Sequence, residues 1–375
     1  MSEALQTQEV GSLAKPDWRV AVIADKPIDN DSYQTLETWN QDYGFFETPT
    51  YGQDVLRSAQ TEFADRNRYS PDTKARIRDL AAVYATRLQE FAGLDIVYDG
   101  EQDRAEMYQH SIARTNGFEW RGRVRAFDTK SYKKAACVDE PSISEPWHSD
   151  EVTRLQSLTD KDIKVPITGA YTLAAWSYDE HFDNRVDLVR ALARNVIRPN
   201  IEALLAQGAH WIQIDEPAAT TVPGEVPLFV ESFNESVRGL AGKFSVHLCF
   251  SDYTQLLPHI EQLENCSQLS LEFANRDARS LGTAAADRPA YEVLKDITRY
   301  APGTSIGLGV VSVHEDAVEP VELVRDRILR AVDIVGDPAL IYPSPDCGLR
   351  TRSWPVAYNK LLAVAHGSRL AREQV

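Results

Sequence analysis

The chain has 375 residues, with 40 Lys and Arg against 56 Asp and Glu, and its formal net charge of −16 argues against a nucleic-acid or anionic-membrane surface. It has no apolar run of the roughly eighteen residues a membrane span needs, and its polar N-terminus lacks the regions of a signal peptide, so the expectation is a soluble cytoplasmic protein. Four cysteines (Cys137, Cys249, Cys266, Cys347) in so long a chain make no disulfide framework; any special role for them points to metal binding or catalysis.

In chain order, Gln6 to Leu13 reads as a first strand feeding a loop, closed by Gly11-Ser12. Residues 17–67 have mixed polarity and several aromatics, which predicts short helices covering one end of the fold. Ser70-Pro71-Asp72 starts a helix with an N-cap serine, a proline at the first position and an acid in the first turn. Leu94 to Glu101 is a buried strand running into a glycine and a carboxylate. Residues 121–146 are a basic and polar excursion, readable as an inserted hairpin or as a solvated loop. Ile163 to Gly169 is the next strand, followed by a helix from Arg185 to Gln207 with an expected kink at Pro199.

The second half repeats one rhythm. His210–Ile214 ends in Asp215, Phe244–Cys249 carries His247 and Cys249, and Gln268–Leu271 ends in Glu272. Ser305–Val310 leads to His314, and Ala339–Tyr342 leads to Cys347. Eight strands alternating with helices are the pattern of a single (β/α)8 TIM barrel, with an N-terminal helical excursion at 17–67 and an insertion at 121–146. Polar residues gather just past the C-terminal strand ends, where such barrels keep their chemistry.

In an extended strand His247 and Cys249 project to one side while Val246 and Leu248 project to the other. With Glu272 and Cys347 they form a zinc-type donor set dispersed over three strands, as catalytic rather than structural sites tend to be. A core histidine beside a buried thiol is the alternative. Cys137 and Cys266 are expected to be without a role, and Arg350 and Arg352 to form ion pairs near the mouth.

Several motifs lie in register: Val10-Gly11-Ser12, Asp99-Gly100-Glu101, Ile167-Thr168-Gly169, Trp211 to Ala218, Val246 to Tyr253, Leu271-Glu272, Gly307 to His314 and Pro345 to Arg352. Together they resemble the catalytic half of cobalamin-independent methionine synthase. The resemblance implies zinc (Zn2+) on His247, Cys249, Glu272 and Cys347. It implies L-homocysteine held by Val10, Gly11, Ser12, Glu101 and Asp215, with His314 as proton donor and Trp176 associated with the pterin of a folate. Zinc makes a substrate thiol anionic near neutral pH, which suits attack on a methyl group. The residues alone also allow Asp215 to cap a loop, Glu101 to be an ion-pair partner, Ser12 a turn residue, His314 a solvated histidine and Trp176 a packing residue.

The chain departs from the full-length pattern. It has no room for the second barrel that helps bind folate, and Lys130-Ser131 and Thr221 replace folate-contacting residues of the family. A methylated corrinoid protein thus competes with methyltetrahydrofolate as methyl donor. The competing enzyme class is an epoxyalkane:coenzyme M transferase type, against which Glu101 and Asp215 count; a non-enzymatic corrinoid-protein partner or metal-stabilised scaffold is the third.

Overall fold

The computed structural model describes residues 4–125, 131–249 and 251–375, so Lys130 lies outside the described residues. Ten strands are found among them: β1 Ile96–Val97, β2 Thr115–Arg125, β3 Ser131–Ile143, β4 Asp162–Thr168, β5 Tyr178–Asp179, β6 Trp211–Asp215, β7 Lys243–Leu248, β8 Cys266–Leu271, β9 Ser305–Val311 and β10 Ile341–Pro345. Seven form one curled parallel sheet in the order β1-β4-β6-β7-β8-β9-β10. Gln8 closes it: it bridges in parallel to Ile96, and its N–H donates to Pro343 O at 3.0 Å. The architecture is the (β/α)8 barrel that the strand count predicts.

Two strands are shorter than the sequence suggests. The first expected strand shrinks to the Gln8 bridge, because the chain leaves the sheet at Val10-Gly11-Ser12 to line the mouth. The strand expected over 94–101 stops at Val97: Gly100 (φ +64°) and Glu101 (φ +56°) both adopt left-handed backbone, which ends pairing and turns the Glu101 side chain into the mouth. For a glutamate that conformation is strained by about 1 kcal/mol. Asp99 caps it, Oδ1 accepting from Glu101 N at 2.8 Å, and Lys15 Nζ donates to the Glu101 carbonyl.

Helices Asp17–Ile23, Asp31–Gln41 and Gln53–Arg66 occupy the N-terminal stretch and share an apolar cluster with Trp354 and Leu361 of the last helix, Trp354–Arg372. Ser70 Oγ accepts from Thr73 N at 3.2 Å at the head of Pro71–Phe91, the cap the sequence predicts. The 185–206 helix absorbs Pro199 through a π-helical turn, Ala193–Ile197, which widens the hydrogen-bond ladder where proline supplies no N–H. β2 and β3 form an antiparallel hairpin joined by β5, so the excursion is a hairpin and begins at Thr115, ahead of the expected Arg121.

Alternation along the strands sorts the core. Val165, Ile167, Ile212, Ile214, Val246 and Leu248 belong to the apolar cluster under the helices. Their neighbours fill a polar barrel interior, where Lys164 Nζ donates to Gln8 Oε1 at 3.0 Å and Gln8 Nε2 to Gln268 Oε1 at 3.1 Å. The same alternation carries Asp215 and His247, which face each other in register, to the mouth. Among the described residues no helix is long and apolar enough to cross a membrane.

Candidate active site

A cavity of about 700 Å³ opens at the C-terminal ends of the strands. It is lined by Val10, Gly11, Ser12, Glu101, Trp176, Asp215, His247, Cys249, His314 and Cys347, so ten of the eleven candidates named from sequence meet in one place. Glu272, fully buried, is not among the lining residues.

At the cavity's deep end the ligand atoms of His247, Cys249 and Cys347 all lie within 4.8 Å of one another. His247 Nδ1 is 3.2 Å from Ser270 O, a carbonyl that can only accept, so Nδ1 carries the proton. In the neutral imidazole the lone pair is then on Nε2, which sits 3.4 Å from Cys347 Sγ. One imidazole nitrogen and two thiols with their donor atoms within 4.8 Å of one another fit a thiophilic divalent ion such as zinc. The Glu272 carboxylate stands outside that set: it accepts from Asn275 Nδ2 and lies 3.8 Å from His314 Nε2 and 3.9 Å from Arg276 Nε. That carboxylate also raises the pKa of His314.

Sequence reading did not single out two struts that hold this group. Asp346, beside Cys347, is fully buried and accepts from Phe273 N, Ala274 N and Asn275 N at 2.8–2.9 Å, pinning the Cys347 loop to the loop after β8. Tyr253 OH donates to Leu248 O at 3.0 Å and accepts from Glu272 N at 2.7 Å, tying the ends of β7 and β8 together. A buried acid one residue before a candidate ligand was the signal for the first; the second had none.

On the opposite wall Gln213 Nε2 donates both to Val10 O (2.7 Å) and to Asp215 Oδ1 (2.8 Å), locking the first turn of the chain to β6. A side chain at Gly11 would bring its Cβ to 2.9 Å from Glu101 Oε1, so only glycine lets that carboxylate lie against the turn. Burial pushes the Asp215 carboxyl up to about 7, Glu101 adding to the effect and His247 opposing it. Two carboxylates in one wall and soft donors at the base give the cavity groups that can complement a cation and a sulfur.

The profile of the cobalamin-independent synthase catalytic domain matches residues 50–368. The chain belongs to the cobalamin-independent methionine synthase family. It is 37% identical over 370 residues to a methionine synthase of Thermoplasma acidophilum, covering 96% of this chain and 95% of that one. It is 35% identical over 305 residues to a methionine synthase of Pyrococcus horikoshii, covering 81% and 85%. The fold resembles a B12-independent methionine synthase from Shewanella sp. W3-18-1, solved in complex with selenomethionine, with a TM-score of 0.75 at 22% identity and 99% coverage of both chains. Membership of this methionine synthase family makes the protein a methyltransferase.

Other residues flagged from sequence are placed as follows. Arg352 pairs with Asp316 at 2.6 Å, while Arg350 lies against the Tyr132 ring of the hairpin and donates to its hydroxyl. Thr221 donates to Ala218 O and is not at the cavity, and neither Cys137 nor Cys266 lines it. A second donor cluster, His110, His148 and Glu151, is buried behind β4. Its two imidazoles stack at 4.9 Å with 17° between planes, so their in-plane lone pairs run side by side rather than converge. Glu151 is already bound by Arg104, Tyr98 and His148.

Proposed function

We propose that this protein transfers a methyl group to the sulfur of L-homocysteine to give L-methionine, with zinc held by His247, Cys249 and Cys347 and with Glu272 as the fourth ligand. The observation that carries the reading is the grouping of one imidazole nitrogen and two thiols at the base of a cavity whose wall carries Glu101 and Asp215. When bound, zinc would lower the pKa of the substrate thiol toward neutrality.

The chain's own residues do the rest. Glu101 and Asp215 hold the substrate ammonium; the cation restores the charge that burial disfavours on Asp215. Val10, Gly11 and Ser12 receive the α-carboxylate through backbone N–H and hydroxyl. So oriented, the thiol gives up its proton to solvent, and a sulfur lone pair forms the bond to the methyl carbon as the bond from that carbon to the donor breaks, its electron pair leaving with the donor. His314 holds a proton at Nε2 at the mouth, placed to pass it to the departing donor, and Trp176 forms an apolar wall for that donor. A methylated corrinoid protein is the favoured donor, with methyltetrahydrofolate second. The two carboxylates count against a coenzyme M acceptor, which has no ammonium. We read residues 1–375 as one catalytic barrel acting in the cytoplasm.

The test is direct: purified protein, L-homocysteine and either methylcobalamin or methyltetrahydrofolate, scored for methionine. Formation with one donor supports the reading and names the donor class; none with either, in protein that has bound zinc, refutes it.

A further inference from the structure

Behind Glu101 runs a chain of buried charge that the reaction scheme leaves unused. Arg104, 2% exposed, places Nη1 at 3.5 Å from Glu101 Oε1 and donates from the same nitrogen to Pro166 O at 2.8 Å. Its other donors go elsewhere: Nε and Nη2 reach Glu151 Oε2 at 3.1 and 2.9 Å, and Nη2 also reaches Tyr98 OH at 2.8 Å. Glu151, likewise 2% exposed, accepts from Tyr98 OH and lies 3.0 Å from His148 Nδ1. Burial works against its charge, but Arg104 and His148 outweigh that and hold the carboxyl well below the usual carboxylate range. Of the other buried groups nearby, Arg154 takes Asp99 and Asp103 at 2.7 and 2.6 Å, while Glu9 and Asp215 also act on Glu101. Lys15 donates to the Gly100 and Glu101 carbonyls, and its charge acts on the Glu101 carboxylate alongside that of Arg104.

The arithmetic of the string is simple. One guanidinium lies between two carboxylates, so the three carry a net charge of −1, and the surplus sits at the end that opens into the cavity. Without Glu151, Arg104 would offset Glu101, and a cation entering the cavity would keep only the Asp215 carboxylate to meet it.

We propose that Glu151, which does not line the cavity, is a specificity-determining residue: by occupying Arg104 it keeps the Glu101 carboxylate available for the ammonium group of an amino-acid thiol. The inference rests on the homocysteine reading above and adds to it a reason why an α-amino acid, rather than a plain thiol, is selected.

The experiment compares L-homocysteine with 4-mercaptobutanoate, the same thiol acid without the amino group. Binding of each to the protein as purified is measured by calorimetry at neutral pH. The wild-type protein binds homocysteine more tightly. Glu151→Gln lowers that preference about tenfold, the effect of one unit charge acting across about 10 Å at an effective dielectric near 20. It does not weaken binding of 4-mercaptobutanoate, an anion that the loss of a negative charge cannot disfavour, and that retained binding also reports that the variant is folded. Glu151→Asp, which keeps the charge, retains most of the preference. Equal weakening of both ligands by Glu151→Gln, or an unaltered preference, overturns the proposal and spares the substrate reading. A wild-type protein that does not discriminate between the two thiols overturns both.

Discussion

Among the described residues two clusters bring metal-ligating atoms within 4.8 Å of one another: His247, Cys249 and the half-buried Cys347 at the barrel mouth, and the buried His110, His148 and Glu151 behind it. They differ in what their lone pairs meet. At the mouth a carbonyl fixes the proton on His247 Nδ1 and leaves Nε2 aimed at the thiols. In the rear cluster the histidine rings stack, and the carboxylate is spent on Arg104, Tyr98 and His148. Proximity of donor types therefore does not by itself make a metal site; the direction of the lone pairs decides whether the donors can share one ion.

The contrast is sharpest where a thiol is removed. Cys347→Ser is expected to lower turnover on the order of a hundredfold or more and to strip bound zinc, assayed by methionine formation and metal analysis. Full activity in that variant would break the comparison at its first term. Arg104→Met should act oppositely, costing about 3–5 kcal/mol in urea unfolding by leaving buried carboxylates unpaired, yet leaving zinc content unchanged. One zinc per chain in the wild type, and the same in His110→Gln, would confirm that the rear cluster holds none.

Acidity provides a smaller test. Burial pushes His110 down to about 2 from an ordinary 6.5, with His148 adding to the effect and Glu151 opposing it. Between those values the unfolded chain binds a proton that the folded one refuses. The stability contributed by neutral His110 is thus complete above 6.5 and falls as pH drops below it, by up to about 1.4 kcal/mol per pH unit. Urea midpoints measured through that window should fall less steeply in His110→Gln than in the wild type. The least effect is expected of Cys266→Ala, which should leave turnover and zinc untouched, because Cys266 is half-buried at the start of β8, far along the strand from Glu272.

The barrel and its mouth were legible because they follow from local rules. Strand alternation puts His247 and Cys249 on one side, and carboxylates after apolar runs mark strand ends. What escaped depended on contacts between distant segments. Nothing around Arg104 or Glu151 in sequence reveals that they meet behind Glu101, and the stacking of His110 on His148 joins residues from two separate connections. Asp346 stood inside a quoted motif, but its service to three backbone N–H groups after β8 belongs to the tertiary structure alone. The early end of β1 at Val97 came from the paired left-handed residues at 100 and 101, a conformation glutamate rarely announces.

The ring of strands is completed by Gln8, whose neighbours are Ile96 on one side and Pro343 on the other, and Arg372 near the far terminus grips the carbonyls of Ala4 and Leu5. During synthesis, then, the turn at Val10-Gly11-Ser12 emerges long before β10 and is among the last pieces to be seated. More than three hundred residues must be made before its partner strand exists. Such wide sequence separation slows the final step of folding, and a nascent chain stalled short of β10 would carry a finished hairpin and helices around a cavity with one wall still open.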